Sequence, residues 1–456
     1  MTDKTTIAAI STPMGTGGVG IIRISGEKAM EITDKVFKAF SGNALVSSEG
    51  YKAHFGRIFD GETAVDEAIC LVFKAPHSYT GENVVEINCH GGVFIMKKIL
   101  RLVLSNGASP AAPGEFTKRA FLNGKMDLSK AEGVMSLISA QGEQGANAAY
   151  NLLEGSLSRK INEINSSLLS VAAHMAAWVD YPDDEIEEID DTNLRNTVQT
   201  ALIEINTLLS RFDSGMAVTT GVEAAIVGKP NVGKSTLMNL LTGYDRSIVT
   251  AVEGTTRDVV EETVNLNGCI LRLSDTAGMR ETGDLVEKIG VDRSRKKLER
   301  AAVIFAVFDI SRELSDEDIE LIEMCKGKTV IPIINKTDLD RKADISIIEN
   351  NFGKCVAISA KDGDGYDELC ETVTTLIGTK NFDTTAAMLA NERQRLCCEN
   401  ASASLKEALD AMDFGLTLDA IGVCIDGAIA ALLELTGQKA SEAVVDEVFR
   451  QFCVGK

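Results

Sequence analysis

The sequence predicts a multidomain protein of mixed α/β and α class, and three observations carry that expectation. Residues 217–378 alternate apolar strand-like runs with amphipathic helical stretches, the pattern of a mostly parallel sheet covered by helices. Residues 122–216 and 379–456, on either side of that block, read as helix. Residues 1–121 mix short strands with one long helix and read as an α+β domain. A length of 456 residues fits about three domains. The simplest assembly packs 122–216 against 379–456 as one discontinuous helical domain, with the α/β block inserted between them.

Each element has its local reason. Residues 7–10 and 21–24 read as two short strands, with Gly15, Gly17 and Gly20 between them. Those glycines satisfy G-x-G-x-x-G, but a dinucleotide fingerprint must open a helix, and here a β-branched run, IIRIS, follows. A glycine-rich strand connection is the better account. HFGRIF, AICLVF and NVVEINC read as strands separated by turns at Asp60-Gly61 and Gly81-Glu82. VFIMKKILRLVLSNG reads as a helix stopped at Gly107. In PGEFTKRAFLNGK the basic residues Lys118, Arg119 and Lys125 read, on their own, as a solvated face.

Further on, Leu153, Leu157, Ile161, Ile164, Leu168 and Met175 form one helical stripe. Tyr181-Pro182 breaks it, and the acidic run from Asp180 to Asp191 reads as a solvated hinge rich in helix N-terminal acids rather than a metal site. Within the α/β block, strands are expected at 222–228, 269–273, 303–309, 329–335 and 355–359. Helices are expected from Ser235, at 288–300, at 316–325 and at 366–377. Near the end Ile421, Ile425, Ile429 and Leu432 form a stripe that stops at Gly437. A last helix from Ser441 carries Val444, Val445, Val448 and Phe449.

Composition narrows the function. Hydrophobic residues make up 45% and charged residues 25%, as in ordinary soluble proteins. A net charge of -21 and a pI near 4.8 argue against a protein that grips nucleic acid unaided over a wide surface. Ten cysteines without a C-x-x-C pair, and no signal peptide in MTDKTTIAAI, point to reduced thiols in the cytoplasm. No apolar run approaches the length of a membrane span.

The chemistry centres on GKPNVGKS, which fits the phosphate-loop pattern with Gly228, Gly233, Lys234 and Ser235 in the diagnostic places. Such a loop turns backbone N–H groups around the β-phosphate. Its lysine reaches the β- and γ-phosphates, and its serine holds Mg²⁺. Four further signals follow in order. GTTRD, from Gly254 to Asp258, suits a first switch loop, with a threonine closing over Mg²⁺. DTAG, from Asp275 to Gly278, offers an aspartate for Mg²⁺ through water and an N–H for the γ-phosphate. NKTD ends a strand, and its Asp338 can accept two hydrogen bonds from guanine N1 and N2, which adenine does not offer. SAK, from Ser359 to Lys361, can support the guanine carbonyl through a backbone N–H. Together these read as a guanine-specific, Ras-like P-loop GTPase domain. Many GTPases follow the DxxG glycine with a glutamine that orients the attacking water; here Met279 stands there and cannot. The segment after it offers Glu281, Asp284 and Glu287.

The chain resembles the bacterial MnmE (TrmE) family of tRNA-modification GTPases along its whole length. The resemblance runs through TIAAISTP, GIIRISG, SYTGENVVE, PGEFTKRAFLNGKMDL, GKPNVGKSTLMN, GTTRD, DTAGMRET and the terminal CVGK. It implies an N-terminal domain similar to folate-binding domains of one-carbon enzymes, which dimerises and binds 5-formyltetrahydrofolate or a related reduced folate. It also implies work with the flavoprotein partner MnmG (GidA), installing an aminomethyl-type (carboxymethylaminomethyl) group at C5 of the wobble uridine, U34, of certain tRNAs.

At the nucleotide, the resemblance implies GTP contacts from Asn231, Val232, Gly233, Lys234, Ser235 and Thr236. It extends them to Thr250, Ala251, Val252, Glu253, Gly254, Thr255 and Thr256, and to Asp275, Thr276, Ala277 and Gly278. Asn335, Lys336, Asp338, Ser359, Ala360 and Lys361 complete the set. Mg²⁺ falls to Ser235 and Thr256, K⁺ to Asn231, Thr250, Val252 and Thr255, and the catalytic role to Glu287. Folate contacts fall to Arg23, Glu82, Lys125 and Lys456. Cys453 reads equally as a nucleophile near the one-carbon unit or as a bystander thiol. The competing function is a GTP-switched assembly factor, which has no need of the four folate residues.

Overall fold

The structure, a computed structural model, describes residues 5–180, 190–244, 262–274, 301–380 and 382–456. The described residues form two compact units. One gathers 5–135, 161–180 and 415–456; the other gathers 136–160 and the described part of 190–414.

The first unit is built on a seven-stranded sheet in the order β3-β4-β5-β6-β2-β1-β7. Its strands are β1 (Ile7–Ile10), β2 (Val19–Ser25), β3 (Phe37–Ala39), β4 (Lys52–Asp60), β5 (Thr63–Phe73), β6 (Val84–His90) and β7 (Ser109–Pro110). All pairings are antiparallel except β1 with β7. β1 and β2 lie side by side, so the glycine-rich stretch between them is a strand connection. Period-2 alternation buries Ile22 and Ile24 of β2 on the face that also carries Ile58, Val72, Val85 and Ile87. The helix Val93–Ser105 covers this face with Met96, Ile99 and Val103, spaced three and four apart.

The end of the chain returns to this unit. The helix Leu418–Thr436 buries Ile421, Ile425, Ile429 and Leu432 and stops at Gly437, whose φ of 87° suits the left-handed C-terminal position. The Ser441 side chain then accepts from the Val444 N–H and starts the helix Glu442–Arg450. Val445 and Phe449 of that helix, with Phe452, pack on Leu128 and Ala131 of the helix Leu128–Ser139. The last residues lie along 113–116: the Gly114 N–H donates to Cys453 O at 3.3 Å and the Phe116 N–H to Lys456 O at 3.2 Å. Gly455, at φ 97°, passes so close to Ile10 O that a Cβ there would overlap it.

The second unit holds a six-stranded sheet in the order β13-β12-β11-β8-β10-β9. Its strands are β8 (Val222–Val227), β9 (Glu262–Leu266), β10 (Cys269–Ser274), β11 (Val303–Asp309), β12 (Val330–Asn335) and β13 (Val356–Ala357). All pairings are parallel except the β9–β10 hairpin. Every residue of β11 is buried, because helices cover both faces of such a sheet. Phe305 and Val307 face a core with Leu237, Leu241 and Leu369; Ile304, Ala306 and Phe308 face another with Ile322 and Ile348.

In the same unit the helix Asp191–Ser210 packs along the helix Glu392–Asp413. Ser402 Oγ donates to Asn206 Oδ1 at 2.9 Å, and Arg195 pairs with Asp413 at 2.7 Å. Asp190 caps the first of these helices by accepting from the Thr192 N–H, the capping use expected of the acidic run. The rest of that run, 181–189, and the expected helix at 288–300 lie outside the described residues.

Two expected elements differ. Leu153 does not belong to the long stripe: the helix Glu143–Leu153 ends there, Gly155 turns at φ 87°, and the helix Ser156–Asp180 carries Leu157, Ile161, Ile164, Leu168 and Met175, all buried. The strand expected at 355–359 shortens to β13, because the Ser359 N–H turns to Asp364 O at 3.0 Å. Among the described residues no helix is long and apolar enough to cross a membrane.

Candidate functional site

Parallel strands that leave a sheet side by side deliver their following loops to one edge, the usual ligand position in open α/β sheets. β8 delivers the loop 228–234, β12 delivers 335–338, and β13 leads into 359–362. The loop curls as its sequence requires. Gly228 has φ 154°, Asn231 φ 65° and Gly233 φ 101°. Lys234 lies inside the curl, with Nζ 2.8 Å from Gly228 O and 2.7 Å from Lys229 O. Burial lowers its pKa from the ordinary lysine value, so a phosphate placed there would meet a poorly hydrated cation. The helix Lys234–Tyr244 starts at the loop and turns its N-terminus toward the phosphate position. Ser235 stands exposed in its first turn, as a hydroxyl able to reach a magnesium ion must.

Asn335 binds the pieces together. It is 2% exposed. Its Nδ2 donates to Val232 O at 2.8 Å and its Oδ1 accepts from the Ala360 N–H at 3.0 Å. One amide thus joins the phosphate loop, the 335–338 turn and the 359–361 turn. Gly233 follows from this, since a Cβ there would overlap the Asn335 amide. Ser359 Oγ donates to Asp338 Oδ1 at 3.2 Å, orienting the carboxylate expected to read guanine. Lys336 Nζ donates to Asn231 O at 2.8 Å. Thr236 and Lys361 are exposed at the same edge.

Two anchoring carboxylates escaped the motif reading. Asp309, at the end of β11, accepts from Lys336 Nζ at 2.6 Å and from the Ser311 N–H and hydroxyl at 2.9 and 2.6 Å. Burial works to raise its pKa, but the bonds from Lys336 and Ser311 outweigh it and hold the carboxyl below its ordinary value. Asp318 pairs with Lys229 at 2.5 Å while closing a capping box with Ser315 on the helix Asp316–Cys325. The available signal for Asp309 was a lone carboxylate closing an otherwise apolar run, VIFAVFD. Thr250, Ala251, Val252, Glu253, Gly254, Thr255, Thr256, Asp275, Thr276, Ala277, Gly278 and Glu287 lie outside the described residues.

The second cluster lies in the first unit. Arg23 donates through Nε to Glu86 Oε1 at 2.8 Å and through a terminal nitrogen to Gly455 O at 3.2 Å. Its guanidinium lies 5.5 Å from the Tyr79 ring centre and 5.6 Å from that of Phe116. Burial, then Arg23, lowers the pKa of Lys456, while Glu86 works to raise it. The fold thus brings residues 23 and 456 together.

Glu82 lies in the turn just before β6, with Oε2 accepting from Ser25 Oγ at 2.7 Å. Both of its oxygens also lie 3.2 Å from a terminal nitrogen of Arg119. Arg119 is therefore a buried ion-pair partner, bonded also to Glu115 and Thr5 O, and not part of a solvated face. Lys125 is exposed and donates to Pro76 O at 3.1 Å, on the turn that carries Glu82. All ten cysteines are free thiols, and Cys453 is exposed.

A glycine-rich phosphate loop at the C-terminal edge of a mostly parallel sheet, with the 335–338 and 359–361 turns beside it, defines a P-loop GTPase, a GTP hydrolase. Comparison with known proteins makes the assignment particular. The family description "MnmE helical domain" matches residues 128–453, and "GTP-binding protein TrmE N-terminus" matches residues 6–125. The tRNA modification GTPase MnmE of Alkaliphilus oremlandii is 42% identical over 458 residues, covering 99% of this chain and 99% of that protein. Those of Bacillus licheniformis and Bacillus subtilis are 42% and 41% identical, each covering 99% of this chain and 100% of the relative. The chain belongs to the MnmE family of tRNA modification GTPases.

The Asn335 amide supplies the test of this geometry. Asn335→Ala orphans Val232 O and the Ala360 N–H, at a cost on the order of 1–3 kcal/mol for each buried group. The expected result is a lower urea midpoint together with GDP binding weakened at least about tenfold, about 1.4 kcal/mol. Unchanged values in both would mean that other contacts hold the loop.

Proposed function

We propose that this chain binds and hydrolyses GTP at the edge formed by 228–236, 335–338 and 359–361, in the cytoplasm, as part of a tRNA wobble-uridine modification. The observation that carries the reading is the Asn335 amide, which holds the phosphate-binding and base-reading segments in one constellation. In this reading a flavoprotein partner of the MnmG kind works with the chain to add an aminomethyl-type (carboxymethylaminomethyl) group at C5 of U34. The chain acts as a homodimer through its N-terminal domain. Its domains divide at residues 121, 216 and 378.

Mg²⁺ would lie on Ser235 and Thr256, where it neutralises phosphate charge. K⁺ would lie on Asn231, Thr250, Val252 and Thr255 and supply the positive charge that an arginine finger supplies elsewhere. The exposed Asn231 side chain, on a left-handed residue of the loop, suits an oxygen ligand for such an ion. Glu287 would orient the attacking water that Met279 cannot. In the N-terminal domain a reduced folate would meet Arg23, Glu82, Lys125 and Lys456. An anionic ligand suits the two cations at 23 and 456, beside which Glu86 is paired with Arg23.

Three measurements test this reading. Asp338→Asn exchanges the hydrogen-bonding edge offered to the base; it should weaken GDP binding and admit xanthosine diphosphate. Guanine preference left intact would sink the assignment of 335–338.

Glu287→Ala should bind GTP normally and hydrolyse it at least about a hundredfold more slowly, since loss of a positioned general base costs on the order of 10² or more. Wild-type turnover should also fall strongly when Na⁺ replaces K⁺. Equal rates in both salts, with an active Glu287→Ala, would mean a different hydrolytic arrangement.

Calorimetry of the intact chain with 5-formyltetrahydrofolate should show binding that Arg23→Ala weakens at least about tenfold, the loss of one charge-assisted contact of about 1.4 kcal/mol. No binding to the wild type would remove the folate from the proposal and favour the assembly-factor alternative.

A further inference from the structure

Four non-glycine residues among the described ones hold a left-handed backbone: Tyr51, Asn231, Asn267 and Lys336. For a residue with a Cβ this conformation is unfavourable, and it persists only where its surroundings hold it. Two of the four are joined to each other, Lys336 by its ammonium and Asn231 by its main-chain carbonyl. One belongs to the base-reading turn, the other to the phosphate loop.

The same ammonium is held from its other side by Asp309 Oδ2 at 2.6 Å. That carboxylate is 5% exposed, and its second oxygen is fixed by the Ser311 N–H and hydroxyl. Asp309 is placed there by register: it closes β11 directly opposite Asn335, which closes β12. The next residue on β12's side is Lys336, whose left-handed turn brings its ammonium back across the strand ends. Arg312 stands at 3.7 Å on the exposed side of Asp309 and gives the carboxylate a weaker, solvated partner. A buried carboxylate with its oxygens divided between one ammonium and one serine is a rigid support, because each lone pair is directed.

We propose that Asp309 is a positioning residue of the nucleotide site. Its carboxylate holds the Lys336 ammonium on the Asn231 carbonyl, so that the base-reading turn and the phosphate loop keep one mutual geometry for a guanine nucleotide. This rests on the guanine-nucleotide reading of the two segments. Asp309 itself touches no nucleotide in it; it acts through Lys336. A ligand that spans both segments, a guanosine di- or triphosphate, is the one whose binding depends on the connection.

The test is a double-mutant cycle on the full-length protein, with GDP affinity measured by calorimetry in Mg²⁺. Asp309→Ala and Lys336→Met should each weaken GDP binding at least about tenfold, and the double variant should be no weaker than the worse single one, as residues of one network behave. Losses that multiply in the double variant, or an Asp309→Ala that binds GDP as the wild type does, would overturn the proposal. If Asp309→Ala does not fold, Asp309→Asn takes its place in the cycle, since it removes the charge and keeps the shape. A variant Asp338→Asn that still prefers GDP over xanthosine diphosphate would instead sink the guanine reading. Multiplying losses beside an intact base switch would sink Asp309 alone.

Discussion

The nucleotide edge depends on one buried amide. An asparagine side chain carries a donor and an acceptor on a short stem, and Asn335 uses the first on the phosphate loop and the second on the turn at 360. Both partners are main-chain groups in a dry place. Removing the amide would therefore leave each of them unpaired rather than return it to water. The sheet puts Asn335 within reach by ending β12 level with β11, and Gly233 gives way to it by having no side chain. The left-handed turn at Lys336 and the bond to Asn231 then extend the same connection one residue further.

The first unit solves a different problem, that of carrying charge inside a sheet domain. Arg119 is nearly buried and is matched by Glu82 and Glu115, a local balance that makes its burial tolerable. Arg23 has one carboxylate, one carbonyl and two aromatic faces, while Lys456 adds a second cation beside it. Desolvation acts against the charge on Lys456, so an anion entering there would be paired with a cation already stripped of much of its water. The Arg119 pairing fixes Glu82 in place, and the cations of Arg23 and Lys456 stand on the same domain.

Regular elements and the phosphate loop were legible in the sequence because their causes are local. β11 and the helices Asp316–Cys325 and Tyr366–Ile377 lie where apolar period and capping residues put them. Leu153 was misplaced because the helical period survives the interruption at Gly155, and only the backbone turn there breaks the stripe. Asp309 was missed because a carboxylate at a strand end has no motif; its meaning comes from the neighbouring strand. Arg119 read as solvent-facing because a basic residue among basic residues looks exposed until its partners, at 5, 82 and 115, are brought to it.

By itself the sequence determined the chemistry that short spacing can encode. A glycine loop, its lysine and the start of the helix after it lie within eight residues, and no distant contact is needed to say what they bind. The tertiary structure decided everything that joins separated residues. It set Asn335 on Val232, Asp309 under Lys336, and the terminal Gly455 and Lys456 against Arg23, more than 400 positions earlier in the chain. Such pairings follow from strand register and from which helices share a core, and these are settled only when the whole apolar surface is buried at once.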